Sequence, residues 1–198
     1  MFIDTHAHLY ASEFDADRME MIRRAQDAGV GRIYLPNVDV TTVDALSATT
    51  QMAPDLLFPL MGLHPCNVKQ DYISQLKNIE AALSKKNYYG IGEIGIDLYL
   101  DPASFLLQKN AFEIQCQWAH DLNLPVIIHS REAVDVVIEL LEKMPHRPSK
   151  GVFHCFGGTL DQVARIEALG EYYFGLGGVI TFKNSGLGEM VSSLPLEK

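Results

Sequence analysis

Seven short runs rich in β-branched and aromatic residues recur along the chain, at 2–9, 32–38, 56–64, 89–96, 125–130, 151–156 and 172–180. Their centres lie roughly 23 to 35 residues apart, an interval that a helical crossover fills and a tight hairpin does not. Between the runs the hydrophobic spacing changes to three and four. Ile73, Leu76, Ile79 and Leu83 mark one face of 72–86, Val134, Val137, Ile138 and Leu141 one face of 131–144, and Leu160, Val163, Ile166 and Leu169 one face of 159–170. Thr159 suits the N-cap of the last helix, while Gly170 and Gly29 suit the C′ positions after theirs. Repeated strand–helix units force parallel strands. Two architectures remain, an open doubly wound α/β sheet and a TIM-type (β/α)8 barrel.

The histidines favour the barrel. Of seven, five fall at or near the C-terminal end of a strand candidate: His6 and His8 on the first, His64 on the third, His129 on the fifth and His154 on the sixth. Glu93 lies near the end of the fourth, and only His120 and His146 fall elsewhere. An open sheet spreads these ends along a line, whereas a barrel gathers them around one mouth. Alternation along a strand would aim His6 and His8 at the same face.

Neutral imidazoles bind Zn, Mn or Fe well, and a carboxylate with two oxygens is able to bridge two ions about 3.5–4 Å apart. Glu93, between the HxH pair and the later histidines, is the natural bridge. Two divalent ions are therefore expected, with Zn, Mn, Mg and Fe all open as identities. Asp4 is placed to face the barrel interior, either beside the metals or as hydrogen-bonded core. Asp97 is expected mainly to cap the loop after the fourth strand. Arg131 either meets a phosphate or pairs with a helix-surface acid. Cys155 should point away from the neighbouring His154 side chain, as a buried thiol, and His120 and His146 read as structural or exposed.

The 198 residues suit one domain with a sizeable core, spanning 1–198. Sixteen Lys and Arg against 25 Asp and Glu give a net charge of −9. That argues against a passive nucleic-acid-binding module, which normally shows a basic stripe, more than against a nuclease whose metals supply positive charge. No basic-then-apolar leader and no apolar run of membrane-spanning length is visible. Three dispersed cysteines without a CxxC indicate reduced protein and a cytoplasmic location. GxSxG, Walker and Rossmann motifs are absent.

FIDTHAHL, MGLHP, GEIGID, PVIIHSRE, VFHCFGG and FGLGG occur in the order that resembles the TatD family of metal-dependent deoxyribonucleases, members of the amidohydrolase-like barrels. The likeness runs from residue 2 to about 196. It implies a TIM-type barrel, two divalent ions and hydrolysis of DNA phosphodiester bonds. It also implies that His6, His8 and Glu93 hold one metal and that Glu93, His129 and His154 hold the other. His64 would then lie by the substrate phosphate, with Glu93 and His64 as the catalytic pair; Arg131, in its phosphate-meeting alternative, is a second candidate substrate contact.

One departure matters. The family pattern continues past LPLE into a last strand bearing a metal-ligating Asp, whereas this sequence ends at Lys198. Against the roughly 250 residues of a typical barrel, an eighth strand and its helix are expected to be missing. Open edges on the first and seventh strands, partial metal retention and reduced hydrolysis should follow. The origins open to such a chain are a fragment, an early-ending gene or a dimer that fills the gap by exchange. Two other functions stay open, a related amidohydrolase cleaving amide, ester or phosphotriester bonds, and a non-catalytic metal-binding remnant. The first is disfavoured because Glu93 stands where many two-metal amidohydrolases carry a bridging carboxylated lysine.

Overall fold

The computed structural model describes residues 1–85 and 87–194. Seven strands alternate with seven α-helices: β1 (Phe2–Asp4), α1 (Arg18–Asp27), β2 (Val30–Pro36), α2 (Val43–Met52), β3 (Leu57–Leu60), α3 (Tyr72–Leu83), β4 (Ile91–Asp97), α4 (Phe105–Asp121), β5 (Val126–Arg131), α5 (Val134–Lys143), β6 (Lys150–Phe153), α6 (Leu160–Glu167), β7 (Glu171–Phe174) and α7 (Leu187–Ser192). All pairings are parallel. The ladders run β1-β2-β3 and β4-β5-β6-β7, and a Met61–Ile91 bridge joins them.

Strand order therefore follows chain order, which a doubly wound sheet, reversing direction at a switch point, does not do. The sheet is also rolled. The rings of His6, just after β1, and His154, just after β6, stack with centroids 3.5 Å apart. Five strand spacings in a flat sheet would separate them by about 24 Å. Among the described residues the fold is a (β/α) barrel of seven strands, one fewer than an eight-stranded barrel.

Burial explains why these segments became these elements. All seven residues of β4 are buried, as expected for a parallel strand covered on both faces. Helices α1–α3 pack Ile22, Leu46, Leu76 and Ile79 with Ile33, Leu35 and Leu57 of the sheet. Helices α4–α6 pack Phe112, Cys116, Val137, Ile138 and Ile166 with Ile94, Val126 and Tyr172. Trp118 of α4 touches both clusters and ties them into one outer layer. Thr159 caps α6 in a reciprocal capping box with Gln162. Gly29 takes φ +85° immediately after the α1 C-cap, a backbone state favoured by glycine.

Several boundaries differ from the sequence reading. β1 ends at Asp4, β3 at Leu60 and β7 at Phe174, so His6, His8 and His64 sit on the segments that follow strands. Ile73 and Leu160 are 44% and 48% exposed rather than inward. Both lie in the first turn of their helix, ahead of the turns that rest on the sheet. Gly170 stands one residue beyond the C′ position of α6. Of the LPLEK stretch, 195–198 lie outside the described residues.

Among the described residues β1 pairs only with β2 and β7 only with β6. Between these two edges opens a cavity of about 880 Å³, lined by Phe2, Ile3, Tyr34, Ile127, Tyr173 and Leu176. Phe2 is accordingly 70% exposed.

Gly95 fixes the closest approach inside the sheet. It lies opposite His129 in the β4–β5 register, with φ +145°. A Cβ there would collide with the His129 carbonyl oxygen. Gly95→Ala should therefore destabilise the protein by roughly 3 kcal/mol, seen as a lowered midpoint in thermal or urea unfolding. An unchanged midpoint would show that β4 and β5 do not need this approach.

Candidate active site

A carboxylate buried inside a barrel is costly unless it is paired. Glu93 is 2% exposed, and four imidazoles meet it. Its Oε2 lies 3.0 Å from His6 Nε2 and 3.4 Å from His8 Nε2. Its Oε1 lies 3.0 Å from His129 Nδ1 and 3.4 Å from His64 Nε2. Each oxygen thus faces its own pair of rings. Burial pushes the Glu93 carboxyl up, but the polar contacts with the His129, His6, His64 and His8 rings outweigh it and hold it well below the usual carboxylate range.

His6 and His8 converge although β1 stops short of them. Ala7 N–H donates to the Tyr34 carbonyl at 3.1 Å, carrying the β1–β2 pairing one step further. The flanking histidines consequently keep the same-side disposition of a strand, with Nε2 atoms 3.0 Å apart. Asp4 does not reach the rings. Its Oδ1 accepts from His6 N–H at 3.0 Å, and the residue lines the open cavity.

The outer nitrogens show what each ring is able to do. Tyr10 spends its hydroxyl proton on the Pro36 carbonyl at 2.6 Å. At 2.9 Å from His8 Nδ1, its oxygen can only accept. His8 therefore carries its proton on Nδ1 and presents a bare Nε2 beside Glu93, the form that binds a metal. His64 is the reverse case. Its Nδ1 accepts from Cys66 N–H at 3.1 Å, so the neutral ring carries its proton on Nε2 and donates toward Glu93. His6, His8 and Glu93 form one group with ligand spacing, and His64, Glu93 and His129 form another. The donor chemistry fits a divalent cation at the first. At the second, the His64 proton works against ligation.

His154 is not in either group but stacks on His6. Burial, followed by the neighbouring His6, depresses its pKa to about 4, so it stays neutral and able to ligate at ordinary pH. His129 behaves oppositely. Burial lowers its pKa, but Glu93 and then Asp97 more than offset this and raise it.

The remaining sequence expectations divide. Asp97 does cap its loop, Oδ1 accepting from Tyr99 N–H at 2.9 Å and Leu100 N–H at 2.7 Å. Its Oδ2 also meets His129 Nε2 at 2.8 Å, a contact the sequence reading missed; the i, i+4 spacing of two acids in GEIGID was the available signal. Arg131 stacks over the Tyr99 ring at 3.7 Å, and among the described residues no acid pairs with it. Cys155 is exposed, not buried. β6 has ended at Phe153 and Cys155 takes φ +46° on a turn, so strand alternation no longer governs its direction. His120 and His146 pack together on the surface, ring centroids 5.2 Å apart. Beside the histidines a cleft of about 750 Å³ is lined by Arg131, Glu132, Asp135, His154, Cys155 and Gln162.

These opposed shifts predict a stability optimum for chelator-treated protein near pH 6.5. The contribution of His129 is fully present below its unfolded pKa near 6.5 and is lost as pH rises through its higher folded value. His154 acts on the other side. Its neutral folded form is fully compatible with folding above 6.5, and up to ~3 kcal/mol is lost as pH falls toward about 4. Glu93 adds its own loss only below the unfolded carboxylate value of about 4.5. Melting temperature against pH should peak near 6.5, and His154→Asn should flatten the limb between 6.5 and 4.5. A limb of unchanged slope in that variant would assign the loss elsewhere.

The sequence matches the family model described as TatD related DNase over residues 3–198. It is 32% identical to the metal-dependent hydrolase YabD of Bacillus subtilis, covering 100% of this chain and 77% of that protein. It is 28% identical to the 3'-5' ssDNA/RNA exonuclease TatD of Pantoea vagans, covering 98% and 74%. The crystal structure of YjjV, a TatD homologue from Escherichia coli, superposes with a TM-score of 0.89 at 33% identity, covering 98% of this chain and 75% of that one. A TatD-family hydrolase from Entamoeba histolytica shares the fold, with a TM-score of 0.85 at 20% identity. Motifs, barrel and relatives agree, and the chain belongs to the TatD family of metal-dependent hydrolases and nucleases.

Proposed function

We propose that the protein hydrolyses phosphodiester bonds of DNA with two divalent ions that share Glu93. The observation carrying this reading is the division of labour at that carboxylate, with His6 and His8 on one oxygen and His129 and His64 on the other. His6, His8 and Glu93 would hold one ion, and Glu93, His129 and His154 the other. When bound, such ions polarise a phosphoryl oxygen and acidify a coordinated water.

The chain's own residues supply the rest. The donor sense that Cys66 N–H imposes on His64 suits a phosphate oxygen better than a cation. Arg131, flattened against Tyr99, keeps its N–H edge available to a second phosphate. Glu132 and Asp135 line the same cleft, so without cations it would repel a polyanion. That makes a net charge of −9 compatible with a DNA substrate only through bound metal. The exonuclease name carried by the Pantoea relative supports a nucleic-acid substrate and adds RNA to the panel.

Single- and double-stranded DNA, RNA and an ester panel, with Mn²⁺, Zn²⁺ or Mg²⁺, test the reading. The assay uses both these 198 residues and a chain extended through an eighth strand. We expect DNA cleavage that chelator abolishes, two bound ions, and a loss of activity of at least ~10²-fold in His129→Ala, since replacing even an outer partner of a ligand costs about 10- to 100-fold. Esters cleaved while all nucleic acids stay intact would replace it with the amidohydrolase alternative.

A further inference from the structure

Asp97 does more than its loop requires. Its side chain is 1% exposed, and its two oxygens face different tasks. Oδ1 is saturated by the Tyr99 and Leu100 N–H groups. Oδ2 lies 2.8 Å from His129 Nε2 and also accepts the Cys66 thiol at 3.4 Å. The same imidazole meets Glu93 through Nδ1 at 3.0 Å. A neutral ring has one proton for two carboxylates. Asp97 makes the shorter contact and is locked from behind by two backbone donors. Glu93 is already supplied by His6 and His64 on its two oxygens.

We propose that Asp97 is a positioning residue that keeps the His129 proton on Nε2, so that Nδ1 offers its lone pair to a divalent cation shared with Glu93. This rests on the metal reading above. Orientation of a ligating imidazole by an outer carboxylate typically contributes 10- to 100-fold in metal affinity.

Asp97→Asn separates this role from the loop cap because an amide cannot serve both. If its oxygen stays with Tyr99 and Leu100, the NH₂ faces His129 Nε2, and the ring proton must move to Nδ1. ¹⁵N spectra of metal-free protein, taken where the ring is neutral, should show His129 as the Nε2–H tautomer in the wild type and Nδ1–H in Asp97→Asn. Zn²⁺ affinity should fall about 10- to 100-fold in Asp97→Asn, and the same change should add little in a His129→Ala background.

An Nδ1–H tautomer in the wild type, which needs no variant to fold, overturns the proposal. So does an affinity loss of equal size with and without His129. If the wild type binds Zn²⁺ but either of these results appears, only the role of Asp97 falls. If the wild type binds no divalent ion, the metal reading falls and takes this proposal with it.

Discussion

The site depends on one buried negative charge. Glu93 is enclosed by the strand most completely covered in the barrel, and water is nearly excluded from it. Such a carboxylate survives only if its surroundings compensate for lost hydration. Here four imidazoles do so, drawn from the ends of three other strands. The compensation is not permanent in kind, because imidazoles are able to exchange a proton for a cation. A hydrogen-bonded cluster in metal-free protein and a metal centre in the loaded one are two answers to the same electrostatic problem.

The barrel makes this possible by rolling the sheet rather than by any local motif. Residues as far apart as His6 and His154 stack at 3.5 Å because β1 and β6 face each other across the mouth. The close β4–β5 approach at Gly95 brings His129 alongside both acids of β4. The open seam between β1 and β7 is lined as far as Thr5, the residue before His6. His6 Nδ1 is a buried nitrogen without a partner among the described residues. The His129 side, by contrast, is enclosed by β4, β5 and the Cys66 turn. The two halves of the site differ in support even though they share a carboxylate.

Much of this was legible in the sequence, and the reason is periodicity. Parallel strand–helix repeats oblige strand ends to meet, so histidines at those ends had to converge. Helix faces at Leu76 and Ile79 or Val163 and Ile166, and the Thr159 cap, were readable for the same local reasons. What failed was whatever depended on where a strand stops. Cys155 was assigned a buried direction by extending β6 past Phe153 into a turn. Asp97 read only as a loop cap, a role it does fill, because its further contact with His129 depends on the β4–β5 register; the i, i+4 spacing in GEIGID pairs the two acids on one strand without naming the ring that stands opposite. The proton positions were equally hidden, because the donor or acceptor sense of the outer partner depends on tertiary contacts such as Tyr10 to the Pro36 carbonyl.

That last point gives histidines of one type different roles. Tyr10 accepts from His8 and so leaves a lone pair facing Glu93. A backbone N–H donates to His64 and so leaves a proton facing Glu93. The contrast does not arise from the inner contacts, which are the same, an Nε2 atom 3.4 Å from a Glu93 oxygen in both cases. It arises one bond further out, from whether the partner gives or takes a proton. Placing Asp97 behind His129 extends the rule, since an accepting carboxylate there selects the ligating form again, this time through Nδ1. On the proposed reading, a residue that ligates and a residue that donates to substrate can thus sit at one carboxylate without exchanging roles, because each outer partner would have to be replaced to convert one into the other.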